Sequence, residues 1–191
     1  MTDFIPPQGF VETAHPAVAP VDQLVSRAEE ITIHRPLADV LACVDALSLA
    51  DWITRNAALP GVLGTYVLAG ERFEKPGSRH MIFLTDGSIA MEQVLGYERT
   101  ATRHHFNYVV WGYTSKAAAP LHYGLGDFVY EVAGAGQTKV RWLYSFALRR
   151  DRFPGFMGPL AGPLLRLALL DGPYAKWMRA SLARIKAAAE A

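Results

Sequence analysis

The order of the secondary-structure signals limits this chain's fold more than any single motif. From Glu29 to Ala191 it reads as one strand, an amphipathic helical stretch, six turn-punctuated strands and a long C-terminal helix. Strands separated by short turns argue for an antiparallel meander. A long helix with one apolar stripe must bury that stripe against another layer. The expected class is α+β, a curved antiparallel sheet wrapped around the C-terminal helix with an internal cavity. Such an order describes a container for a small molecule.

The boundaries follow from local chemistry. Glu29 to His34 alternates loosely as a first strand. Pro36 then opens a helix at a position proline favours, with Asp39 in the first turn and Leu37, Val40, Leu41, Val44 and Leu47 at helical spacing. A second short helix is expected over Leu49 to Ala58, anchored by Trp52 and ended by Pro60-Gly61. The strands expected next are Leu63 to Phe73, Arg79 to Leu84, Ile89 to Tyr97, Thr102 to Gly112, His122 to Val132 and Thr138 to Leu148. Asp86-Gly87 supplies a positive-φ pair for a tight hairpin. The last strand alternates most cleanly: Val140, Trp142, Tyr144, Phe146 and Leu148 share one face, and Lys139, Arg141, Ser145 and Arg149 the other. A slip of one residue would bury arginines, so the aromatic face is the inner one.

The C-terminal helix is expected to begin near Pro159 and to kink or break at Gly172-Pro173 into Leu160 to Leu170 and Tyr174 to Ala189. Its second part carries an apolar stripe of Ala175, Met178, Leu182 and Ile185 opposite Lys176, Arg179 and Lys186. Residues 1–28 read as an extended arm containing Pro6, Pro7, Pro16 and Pro20, and residues 29–191 as a single domain. Phe4, Ile5, Phe10 and Val11 offer apolar contacts to the body or to a second copy in a homodimer.

Composition removes several function classes. A length of 191 residues suits one sizeable domain. The formal net charge of +1, from 19 basic and 18 acidic residues, gives no electrostatic case for a nucleic-acid partner. The N-terminus has no basic segment followed by an apolar core, so no signal peptide is expected. The most apolar segment, Phe156 to Leu170, is interrupted by Pro159, Gly162, Pro163 and Arg166, and no stable membrane insertion is expected. The single cysteine, Cys43, excludes an intrachain disulfide and is compatible with a reducing, cytoplasmic setting.

The chain resembles the START-related helix-grip superfamily, which includes START lipid-transfer domains, plant pathogenesis-related allergens and polyketide cyclase/dehydrase-like proteins. Ile31-Thr-Ile-His-Arg-Pro36 leading into a helix carries this resemblance, together with Gln137-Thr-Lys-Val-Arg-Trp142 after a glycine turn. Ser181-Leu-Ala-Arg-Ile-Lys186 near the end of the last helix matches as well. The resemblance covers about residues 29 to 188 and implies a seven-stranded sheet gripping the last helix around an apolar cavity. The superfamily shares no catalytic residues, so no site carries over. The arm and the Gly172-Pro173 break depart from its pattern.

With the aromatic face of the last strand inward, alternation assigns the neighbouring strands. His122, Gly124, Gly126, Phe128, Tyr130 and Val132 share the inner face of one strand, and His104, Phe106, Tyr108 and Val110 that of another. A buried imidazole is a neutral base near neutral pH, and a tyrosine hydroxyl can donate to a developing oxyanion. The candidate catalytic residues are therefore His104, Tyr108, His122 and Tyr144. The candidate ligand-binding residues are Phe106, Phe128, Tyr130, Trp142, Phe146, Leu164, Tyr174 and Met178. Arg79-His80 and Glu92 lie on adjacent strands; one of them facing in would give a ligand carboxylate or hydroxyl a partner, and a cross-strand surface pair is the first reading. Asp171 reads as a helix cap. His104 and His105 point to opposite faces and cannot share an ion, so no metal is expected. Glycine-rich phosphate loops are absent, and Gly124-Leu-Gly126 precedes a strand rather than a helix, so no cofactor is expected.

Three function classes stay open at this level. One is cofactor-free acid/base chemistry on an aromatic or polyketide-like molecule, such as cyclisation, dehydration or elimination. Another is a carrier or sensor of a hydrophobic ligand. The third is a partner-binding module that uses the arm.

Overall fold

The computed structural model describes residues 4–70 and 75–191. Among the described residues, one seven-stranded sheet is built from β1 (Val25–Ile33), β2 (Val62–Ala69), β3 (Arg79–Leu84), β4 (Ile89–Arg99), β5 (Arg103–Trp111), β6 (Leu121–Gly134) and β7 (Gln137–Leu148). Every pairing is antiparallel, in the order β1-β7-β6-β5-β4-β3-β2. Strands β2 to β7 form the meander, and β1 joins beside β7. The first strand begins at Val25, inside the stretch expected to be arm. The expected end of β2 at residues 71–73 lies outside the described residues.

Alternation places side chains as the aromatic face of β7 demands. Tyr108, Phe128, Tyr130, Val140, Trp142, Tyr144 and Phe146 are all buried in one core cluster. Helix α1 (Leu37–Ala46) adds Leu37, Val40 and Leu41 to it. The second helix is shorter than expected. Here α2 covers only Leu49–Trp52, held by a capping box between Ser48 and Asp51, and buries Trp52. It stops because the Asn56 side chain accepts the backbone N–H groups of Ala58 and Leu59 at 2.8 and 2.7 Å, closing a turn instead.

The C-terminal helix does not break. A short 3-10 segment, Gly155–Leu160, leads into α3 (Ala161–Leu165), a π-helical stretch over Arg166–Tyr174, and α4 (Ala175–Glu190). Pro173 has no N–H to give, and the wider π turn absorbs it without ending the helix. The Ala175 N–H reaches back to the carbonyl of Leu170. Met178, Leu182 and Ile185 of α4 are buried against the sheet as their stripe required.

The arm packs on the opposite face of the sheet. Met91, Val109, Trp111 and Tyr123 form a second apolar cluster there, with Phe10 and Leu24 packed against it. The Trp111 indole N–H donates to the Thr13 carbonyl at 3.1 Å, and the Tyr123 hydroxyl accepts from the Ala19 N–H at 2.8 Å. The Phe4 and Phe83 ring centroids are 5.2 Å apart, and the Phe4 ring fills the space that a side chain at Gly64 would need. The sheet is therefore covered on both faces, and the cavity lies on the helix side.

Candidate active site

A cavity of about 790 Å³ lies between the sheet, the α1–α2 region and the C-terminal helix. That volume suits a drug-sized ligand. Its walls are mainly aromatic. Trp142 and Phe128 stack at 4.8 Å, Trp52 stands edge-on to both, and Trp177 lies 5.6 Å from Trp142. Phe106, Tyr130, Phe146 and Tyr174 are among the residues that line it. Leu164 and Met178 do not line it. Leu164 precedes the π-helical turn, and Met178 is wholly buried in the core, while Leu169, Tyr174 and Trp177 are the helix residues that reach the space.

The four proposed catalytic positions do not form one site. His122 is exposed beside Tyr123 and outside the cavity lining. A register shift between Leu121 and Tyr123 turns His122 out and brings Leu121 in. His104 does line the cavity, with its Nδ1–H donating to the Glu98 carbonyl at 3.0 Å and Tyr97 and Tyr130 packed around it. Burial lowers its pKa from the ordinary value. It is six residues from Val110 on β5, however, which is about 20 Å along a strand. Tyr108 is two residues from Val110, about 7 Å.

The polar groups that do converge lie at that second end. Tyr108 and Tyr144 both pair with Gly126, from opposite sides. A side chain at Gly126 would occupy the Tyr108 ring, coming within 2.5 Å of its Cε1. The two rings lean over this bare backbone until their centroids are 6.3 Å apart. Gly124 does the same for Tyr113 and Tyr144, since a Cβ there would stand 2.8 and 3.0 Å from the two hydroxyls. Tyr174 completes the group, 5.4 Å from Tyr144. Alternating glycines on β6 thus make room for tyrosines carried by β5, β7 and the β5–β6 loop. Tyr113 lies beyond the end of β5, where strand alternation assigns no face. The glycine alternation was the signal that could have found it.

Glu92 and His80 sit beside this tyrosine group. They are direct cross-strand partners on β4 and β3, and Glu92 is also paired with Val110. They are not the surface pair that local charge suggested: His80 is 2% and Glu92 5% exposed, and both line the cavity. Burial pushes the Glu92 pKa up to about 8 and the His80 pKa down to about 4. At neutral pH the pair is therefore a carboxylic acid beside a neutral imidazole. Burial, and secondarily the Glu92 charge, raises the Tyr108 pKa well above its ordinary value. Tyr113, Tyr144 and Tyr174 are shifted the same way, first by burial. All four phenols are therefore hydrogen-bond donors at neutral pH. The Tyr113 hydroxyl and the Trp177 indole N–H are buried without a hydrogen-bond partner.

Asp171 takes no part in the cavity or in capping; it pairs with Arg27 and Arg166 at 3.2 Å each, tying the π turn to β1. Among the described residues no group of three or more His, Cys, Asp or Glu side chains could hold a metal ion.

No protein-family model and no curated protein sequence matches this chain. Solved structures do. Ara h 8.0201 is similar over 87% of this chain and 97% of its own, with a TM-score of 0.59 at 17% identity. The ZhuI aromatase/cyclase from Streptomyces sp. R1128 is similar over 87% and 94%, with a TM-score of 0.59 at 15% identity. StfQ, a di-domain aromatase/cyclase of steffimycin biosynthesis, is similar over 87% of this chain and 51% of its own, with a TM-score of 0.58 at 13% identity. The chain thus shares with these structures a helix-grip fold, a seven-stranded antiparallel sheet closed on a long C-terminal helix.

Proposed function

We propose that the cavity binds an aromatic, polyketide-like ketone and carries out cofactor-free proton-transfer chemistry on it, dehydration of a β-hydroxyketone being the simplest case. The observation that carries this reading is the buried Glu92–His80 pair set among phenol donors in an aromatic cavity. His80, neutral by burial, takes a proton from the carbon next to the ketone. The C–H electron pair becomes the C=C bond of an enol as the ketone oxygen takes the Glu92 proton, helped by a phenol donor. The enol O–H then returns its proton to Glu92, and the β-hydroxyl leaves with the His80 proton as water. The products are an enone and water, and both side chains end as they began. Similarity to two structures described as aromatase/cyclases supports the substrate class. The lone cysteine supports a cytoplasmic setting.

The test is incubation with aromatic β-hydroxyketones, followed by mass spectrometry and thermal shift. Loss of water should require the protein and fall by about 10²–10⁴-fold in Glu92→Gln or His80→Gln, while ligand stabilisation persists. His104→Ala should retain turnover. A ligand that stabilises the protein but is always recovered unchanged would make this a carrier and overturn the catalytic reading.

A further inference from the structure

The segment from Arg149 to Leu167 does not line the cavity, and it exposes several large apolar side chains. Phe153, Phe156, Leu160 and Leu167 are 59, 62, 58 and 82% exposed, and Met157 is exposed among them. The Phe153 and Phe156 rings lie 6.0 Å apart at the start of the 3-10 segment, and Leu167 follows on the helix beyond the kink at Gly158. Scattered apolar side chains on a surface need no explanation, but large ones gathered within fifteen residues mark a contact surface. Arg149, Arg150 and Arg152 stand directly before them, and Asp151 is the one acid in the run. Asp151 is engaged by Arg149 at 2.8 Å and approached by Arg152 at 3.8 Å, which leaves a local positive surplus in a chain of net charge +1.

We propose that residues 149–167 form a docking surface for an anionic lipid bilayer. Exposed rings and aliphatic chains enter the headgroup boundary while flanking arginines meet lipid phosphates. The bilayer is favoured over a second copy, because an anionic surface complements the arginine surplus whereas a second copy would bring the same surplus. The contact is interfacial, since no helix among the described residues is long and apolar enough to cross a membrane. Docking here would also set the cavity rim at the bilayer. The Arg149 N–H donates to the Pro120 carbonyl at 2.9 Å, joining the patch to the loop whose Ser115, Ala117 and Ala118 border the cavity. An apolar ligand dissolved in the membrane would then have a short path to the cavity.

The test is flotation of the intact protein with phosphatidylcholine vesicles and with vesicles containing roughly a third phosphatidylglycerol. Binding should require the anionic lipid and weaken at about 1 M salt. Arg150→Ser with Arg152→Ser should lower the partition about 25-fold, at about fivefold per arginine. Phe156→Ser with Leu160→Ser should lower it at least about tenfold. All four side chains are exposed, so an unchanged urea midpoint checks that the variants are folded. Absence of binding to anionic vesicles, or equal binding by folded variants, would overturn the proposal. So would a dimer in solution that only the patch variants convert to monomer. Vesicle binding is read without a cavity ligand, so its outcome is separate from that of the chemistry above.

Discussion

Replacing Glu92 by Gln should change how stability depends on pH, and the two buried groups fix the shape of the change. The Glu92 pKa rises from 4.5 to about 8 on folding, so the folded state holds a proton that the unfolded state releases. Its contribution is complete below pH 4.5 and is lost as pH climbs to about 8. The His80 pKa falls from 6.5 to about 4, so its contribution is complete above pH 6.5 and is lost as pH drops to about 4. Each slope is about 1.4 kcal/mol per pH unit, with opposite sign. Between pH 4.5 and 6.5 they cancel. From 6.5 to 8 only Glu92 remains, and the wild type should lose about 2 kcal/mol. Glu92→Gln should be level over that range and should instead weaken by about 3 kcal/mol from pH 6.5 to 4, where His80 acts unopposed. His80→Gln should decline across the whole window from pH 4.5 to 8. Urea unfolding at half-unit pH steps reads all three profiles, and every other group is common to them. Parallel profiles for wild type and Glu92→Gln between pH 6.5 and 8 would refute the assignment of a buried, proton-holding carboxyl.

Gly126→Ala should destabilise by about 1–3 kcal/mol, because the new methyl must displace the Tyr108 ring from its place over β6; an unchanged urea midpoint would contradict that packing. Trp142→Ala removes the stacking partner of Phe128 and neighbour of Trp52 and Trp177, and should cost about 3–5 kcal/mol by the same measurement. Deleting residues 1–20 uncovers Met91, Val109, Trp111 and Tyr123, and should raise binding of an apolar dye while leaving the cavity-facing tryptophans unaltered. A deletion that leaves dye binding unchanged would mean that the arm contributes no cover.

The sequence by itself determined the sheet, its inner face and the helix it encloses, because those depend on local period and turn chemistry. The aromatic alternation of β7 permits one orientation, and Tyr108, Phe128, Tyr130, Tyr144 and Trp142 follow from pairing to it. The glycines of β6 were legible as inner-face positions, but not the tyrosines that lean over them. Tertiary structure alone decided three further matters. A bulge at the start of β6 turned His122 to solvent, since one inserted residue reverses a face without marking the sequence. A π turn carried the helix through Pro173, because packing of both halves onto the sheet outweighs one missing hydrogen bond. The largest difference concerns Glu92 and His80. Their sequence is that of an ordinary surface pair, and a charge carries no label of its own burial. Only their place on the cavity-facing side of the closed sheet takes them out of water, and that loss of hydration moves their pKa values past one another.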